Sequence, residues 1–384
     1  MSKKIFFMML IGLLTGVVTG CKNDDTDFSK YINGENEETD SINIVTINIV
    51  YNGNSVTVTG DTRNYVTTNG ADVVVNTGTA TDSLVLSVSG QTADGSLLVM
   101  REKKYRLCLN NVDITNDNGP AINNQCGKML YLEVVDGTTN RLADGTAYDE
   151  TVSYQQKGAF FSEGQICFCG KGSLSVTGNC KNAIASDDYI IIDDNVTLTA
   201  TSSTGHGIKA NDGIWINNGK LDISVTADAA RGIRCDSVVV ITGGDITINT
   251  TGDCVYDEEA SDYSSAACIK CDRRFTMTGG TLTMTSSGDG GKGINCDEDV
   301  VFSGGTLVAT TTGGNDDGKP KAVKGNTGIT VSGGSFTAKV NKSWACDNGY
   351  SNDNDESDQA AHCVTVVGSP STKMLSKKSV KIVF

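Results

Sequence analysis

Asp236, Asp272 and Asp297 fall at one phase of a recurring segment in this 384-residue chain. Glu163, Asp187, Asn211 and Asn326 hold the same place in neighbouring segments. Just before them, on the same side of an extended strand, stand Lys209, Arg234, Lys270 and Lys324. Carboxylates stacked one strand apart repel. Two charges about 4 Å apart cost roughly 1 kcal/mol in water and about 4 at an effective dielectric near 20. Two arrangements offset that cost. One is calcium, a hard cation that gathers several oxygen ligands, with Asp187, Asp236, Asp272 and Asp297 as donors. Asp289, from a second acidic set in the loops (Asp228, Asp253, Asp289, Asp316, Asp317), is a further candidate donor. The other is neutralisation by the cations on the same face. Both stay open at the level of sequence.

The cations also define a ridge. Arg231, Arg234, Lys270, Lys292, Lys321 and Lys324 crowd beside short Gly-Ile strands. An extended anionic polymer such as a uronate chain could lie along them, each carboxylate meeting a guanidinium or ammonium. Trp215 sits between Ile214 and Ile216, which alternation turns inward, so its indole is expected outside. There it either offers a platform to a sugar ring or packs on a neighbouring loop. Trp344 is expected in the inward isoleucine column, as a plug in the last coil, and Asp347 in the acidic column. Catalysis has little support. The only histidines, His206 and His362, have no triad context, and no nucleophile elbow occurs. In a lyase an arginine or lysine would have to abstract the proton, and Arg234 beside Asp236 and Asp272 is the foremost candidate.

The elements that must hold these columns are read from the repeat. GAFFSE, NAIASD, HGIKAN, RGIRCD, ACIKCD, KGINCD and KAVKGN recur with a period of about 24–25 residues, the last after a longer spacer. After each comes an apolar alternation, in later units a Gly-Gly pair, then a second alternation, as in VVITGGDITI. Alternation at period two marks strands with one buried face. Three short strands per coil predict an all-β parallel β-helix, a solenoid whose coils pair about 4.8 Å apart. Phe160, Ile184, Ile208, Ile233, Ile269, Ile294 and Val323 form one inward column. Ser162, Ser186, Ala210, Cys235, Cys271, Cys296 and Gly325 form a small-residue column. Ile192, Ile216, Ile241, Met277, Phe302 and Val331 form a third. The solenoid is expected over residues 42–366, with a short tail or cap over 367–384.

The N-terminus reads as an export signal over residues 1–20: Lys3 and Lys4, an apolar run from Ile5 to Val18, then Val-Thr-Gly-Cys. That pattern resembles the bacterial lipoprotein signal, which implies lipid on Cys21, an outer-membrane anchor and a cell-surface location. Residues 21–41 are acidic and polar, and read as a flexible tether whose start resembles a surface-export tag. A net charge of −15 argues against nucleic acid as a partner. The membrane is met only through the lipid, and a monomer is expected. Of the 13 cysteines, Cys235, Cys271 and Cys296 are expected as small buried residues. Cys346 and Cys363 bracket a loop in which a pairing stays open.

The stretches from Asn182 to Ile223 and from Arg231 to Ile248, with an upstream segment over 105–145, resemble the carbohydrate-binding β-helix family of bacterial surface proteins. That family takes its name from a clostridial member that binds cellulose and polygalacturonate, and is structurally akin to pectate lyases. The resemblance covers roughly residues 70–340. It implies a right-handed β-helix, polysaccharide binding, bound calcium and no established catalysis. The family's Asp before Gly-Ile is replaced here by His206, Arg231, Lys292 and Lys321. Three functions remain: a polysaccharide-binding surface lipoprotein using Lys209, Trp215, Arg231, Arg234, Lys270 and Lys324; a calcium-dependent pectate-like lyase; and a structural adhesin without a glycan ligand.

Overall fold

In the computed structural model, which describes residues 44–314 and 317–384, the chain is a parallel β-solenoid of about 11 turns. The signal and tether, with Cys21, lie outside the described residues, as does Asp316. One coil shows the plan. Arg231–Cys235 forms the first face, Val238–Ile241 the second and Asp245–Thr250 the third. First-face strands of successive coils pair into a twelve-stranded sheet, and the other two faces belong to one large sheet. Between the second and third faces the second glycine of each pair turns left-handed: φ is 88° at Gly244, 79° at Gly280 and 82° at Gly305. The first glycine is needed for space, since a Cβ on Gly243 would stand 2.3 Å from the Asn217 carbonyl oxygen.

The inward columns stack as expected. Ile184, Ile208, Ile233, Ile269, Ile294 and Val323 are in register and fully buried. So are Ile192, Ile216, Ile241, Met277, Phe302 and Val331. Leu198, Leu221, Ile246, Leu282 and Leu307 make the third apolar column. Each such side chain contributes about 1.5–3 kcal/mol by leaving water. Cys235, Cys271 and Cys296 occupy the small-residue column as buried free thiols, and Cys346 and Cys363 are also buried and free.

Among the described residues, antiparallel strands pair onto both ends of the solenoid and cover part of its open strand edges. At the start, Val56–Thr59 pairs with Ile44–Asn52 and Val66–Asn69 with Asp72–Gly78. At the end, Ser379–Val383 runs antiparallel to Ser335–Val340, and Thr372–Leu375 folds back upon it.

Two expectations fail in the last coil. Cys346, not Trp344, continues the inward column, because Val323 pairs with Cys346 and Lys321 with Trp344. The indole therefore sits at the strand's outer corner, half-buried. The same register puts Asp347 opposite Lys324, in the cation column and not in the acidic one.

Candidate functional site

The acids and cations of the first face form an interlocked ladder. The Arg234 guanidinium grips Asp272 with two bonds of 2.7 and 2.8 Å and lies 2.8 Å from Asp236. Lys270 stands 3.3 Å from Asp272 and 2.5 Å from Asp297. Lys209 lies 3.8 Å from Asp236, and Asp187 is taken by Lys157 at 2.5 Å. Arg234 and Lys270 each bridge the acid of their own coil and that of the next. Burial works to raise the Asp272 carboxyl, but the Arg234 hydrogen bonds and charge prevail and hold it below the ordinary range.

As placed, this donor set does not fit calcium. Its carboxylates already face cations, and a dication there would meet Lys209, Arg234 and Lys270 first. Asp289 stands apart, in a loop ladder. Asp253 donates its backbone N–H to the Asp228 carboxylate (2.9 Å), Asp289 to that of Asp253 (2.7 Å), and Gly314 to that of Asp289 (2.5 Å). Among the described residues no group of three or more His, Cys, Asp or Glu side chains is set to hold a metal.

The ladder stops where its alternation breaks. Asn295 replaces the cation and, one coil on, Asn326 replaces the acid. Beyond that point cations are in surplus, and there a cleft of about 790 Å³ opens. It is lined by six cationic side chains (Arg231, Lys270, Lys292, Lys319, Lys321, Lys324) against four acids (Asp257, Asp262, Asp297, Asp347), so it is net positive in a chain of net −15. Among the described residues no carboxylate lies within ion-pair distance of Lys324, whereas Lys321 is 3.1 Å from Asp347. Burial, with help from Lys324, pulls the Lys292 amine down to about 8. Burial likewise lowers Lys321, and takes Arg231 to about 10.

One wall of the cleft was not foreseen. Val255–Asp257 and Asp262–Ser264 form a hairpin that belongs to neither main sheet. Its tip turns on Asp257, whose carboxylate accepts the N–H groups of Glu259 and Ala260. Tyr256 and Tyr263 pair across it, ring centroids 5.2 Å apart and edge to face. Tyr263 lines the cleft, and its hydroxyl donates to Asp317 at 3.1 Å. The base of the hairpin is clamped by two ridge cations: Arg231 donates to the Ser264 hydroxyl at 2.8 Å, and Lys292 to that of Ser265. Arg231 and Lys292 thus position the wall as well as charging the floor. The only sequence signal for the wall was the longer spacing between Cys235 and Cys271.

Trp215 does point outward, but on a different face. It packs edge-on against Tyr189, centroids 5.6 Å apart, beside Cys169 and Ile191 and over Gly213. It is half-buried there and remote in register from the cleft. Lys209 and Arg234 belong to the ladder; of the expected binding residues, Arg231, Lys270 and Lys324 meet in the cleft.

The structure is thus a parallel solenoid with an open, charged cleft on one face, walled on one side by an aromatic hairpin. Comparison with known proteins places it more narrowly: the family model described as carbohydrate-binding domain-containing protein matches residues 69–236 and 223–318, and the chain belongs to that family. A carbohydrate-binding domain-containing protein of Acetivibrio thermocellus is 31% identical over 117 residues, which is 29% of this chain and 41% of that relative. Among solved structures, a gadolinium derivative of the polysaccharide lyase-like protein from C. thermocellum superposes with a TM-score of 0.55. Its identity is 24%, over 67% of this chain and 97% of that one. That likeness concerns the fold.

Proposed function

We propose that the protein binds an acidic polysaccharide in the cleft between the 255–264 hairpin and the first-face ridge, as a lipid-tethered protein of the cell surface. The observation that carries the reading is the local cation surplus in an acidic chain, set under an exposed aromatic. Lys324, which no acid among the described residues engages, is placed to meet a sugar carboxylate, and Tyr263 to meet the apolar face of a ring. The ladder supplies its own charge balance, so calcium has no part in this reading. The test is binding of a polyuronate and of a neutral β-glucan to the parent and to Lys324→Glu. Lys324 is outside the ladder, so reversal should leave the fold intact. The polyuronate should bind at least tenfold more weakly to the variant, and the parent's preference should fade at high salt as screening shortens to about 3 Å. Equal binding by parent and variant would remove the cleft from consideration.

A second reading, β-elimination on a uronate, is favoured by Lys292 alone. An amine pulled down to about 8 holds a larger neutral fraction at neutral pH than an exposed lysine, and can accept a proton. The nearby ammonium groups would stabilise charge developing on the sugar carboxylate. Ultraviolet detection of an unsaturated product, lost in Lys292→Arg, is the assay; absence of product in the parent leaves a binding protein.

A further inference from the structure

A second cleft of about 520 Å³ lies beyond the first, and the two share Lys319, Lys321 and Asp347. It is built where the solenoid ends. Trp344, displaced from the core by the register of the last coil, faces it. The Lys377 ammonium stands 5.4 Å over the indole and is held by Glu356 at 2.6 Å. Tyr350, 40% exposed, backs onto His362 with ring centroids 5.0 Å apart. Lys342 and Lys378 line the same hollow and are exposed.

This repeats the chemistry of the first cleft, aromatic faces beside unshared ammonium groups, on the same side of the coil. From Ala267–Cys271 to Trp344–Asp347 is three strand steps, about 14 Å at the usual spacing. We propose that the two clefts are one groove, and that Trp344, with Lys342 and Lys378, forms a distal subsite for further residues of the same anionic glycan. The proposal rests on the cleft reading above and adds direction and length to it. The polymer runs along the solenoid axis toward the C-terminal cap, and the cap is part of the binding surface.

Ligand length separates the two claims. Oligogalacturonates of about three and about six residues are titrated calorimetrically into the parent, Lys324→Glu, the triple variant Trp344→Ala/Lys342→Gln/Lys378→Gln, and the charge pair Lys342→Gln/Lys378→Gln alone. In the parent the longer ligand should bind on the order of tenfold tighter or more, because its added contacts act at high effective concentration. The triple variant should keep the affinity for the short ligand and lose that gain. The charge pair should lose part of it, and keeps the test sound if Trp344→Ala unfolds the cap. A gain that survives in both variants, or a parent that binds both lengths alike, overturns the distal subsite while leaving the first cleft standing. Binding of neither length, or indifference of both to Lys324→Glu, sinks the cleft reading and the subsite with it.

Discussion

Replacing Arg234 by glutamine tests the ladder at its most connected rung. The side chain is 19% exposed and holds two carboxylates, Asp236 and Asp272. Without the guanidinium those carboxylates face each other one coil apart, at about 4.8 Å. Their repulsion is about 0.9 kcal/mol in water and about 3.5 at an effective dielectric near 20, and partial exposure, with Lys209 and Lys270 still beside them, places the rung between these limits. With the lost charged hydrogen bonds, Arg234→Gln should cost about 2–3 kcal/mol in chemical denaturation. Much of that cost comes from stranded charge, so Arg234→Gln/Asp272→Asn should recover at least about 1 kcal/mol, a coupling far above the noise for independent sites. The acid side gives a second check. Asp272 is held below its ordinary value. The stability this supplies is present above the unfolded pKa, about 3.9, and disappears as pH falls through the folded one. The acid slope should therefore flatten in Arg234→Gln. Additive single costs would refute the ladder. So would a calcium-induced rise in parent stability that is abolished by converting Asp236, Asp272 and Asp297 to asparagine.

Ile233→Asp should unfold the solenoid, since it buries an unpaired charge in a continuous apolar column, while Thr283→Asp on the exposed third face should be tolerated; circular dichroism distinguishes the two. Affinity for a polyuronate should weaken as pH rises through about 8, where Lys292 loses its proton, and Lys292→Arg should flatten that dependence across the same range. Replacing Tyr256–Tyr263 by a short glycine-serine linker, which keeps the Ser264 and Ser265 contacts to Arg231 and Lys292, should spare the fold, because the two hairpin strands pair only with each other, and should lower polyuronate affinity at least tenfold in the same titration. Cys21→Ser should move the protein from the membrane fraction to the soluble one; retention in the membrane would remove the lipid anchor.

The coil was legible in the sequence because its period turns residues into columns. A column shows its burial through composition, as Phe160 to Val323 does. What columns do not show is reach. Lys270 and Asp297 belong to different coils, and only the length of a lysine side chain against one strand spacing decides that they meet. That is why calcium and cation neutralisation could not be separated beforehand. Register was lost in the last coil for a related reason. The step from Val323 to the next inward residue ends on Cys346, and an apolar Trp344 two residues earlier is the more conspicuous candidate for a core. The hairpin was hidden because an insertion has no period. Its two tyrosines, Tyr256 and Tyr263, stand seven residues apart, a spacing that fits neither strand alternation nor the coil period.

These misses lie at the site itself, for a physical reason. A strict repeat stacks like on like, so its outer face is a ladder that satisfies itself. Arg234 and Lys270 are fully engaged by the acids of adjoining coils and have little charge left for a ligand. On the proposed reading, binding capacity arises where the repeat is broken. Asn295 and Asn326 interrupt the ladder and leave Lys324 without an acid among the described residues. The inserted hairpin raises Tyr263 over the floor, and the altered last step turns Trp344 outward. The regular columns supply rigidity and fix the spacing of the cations at one coil. The irregular residues supply walls, surplus charge and aromatic faces. On this scaffold, departures from the repeat are where ligand-binding residues are to be sought, and the conspicuous in-phase charges are mostly structure.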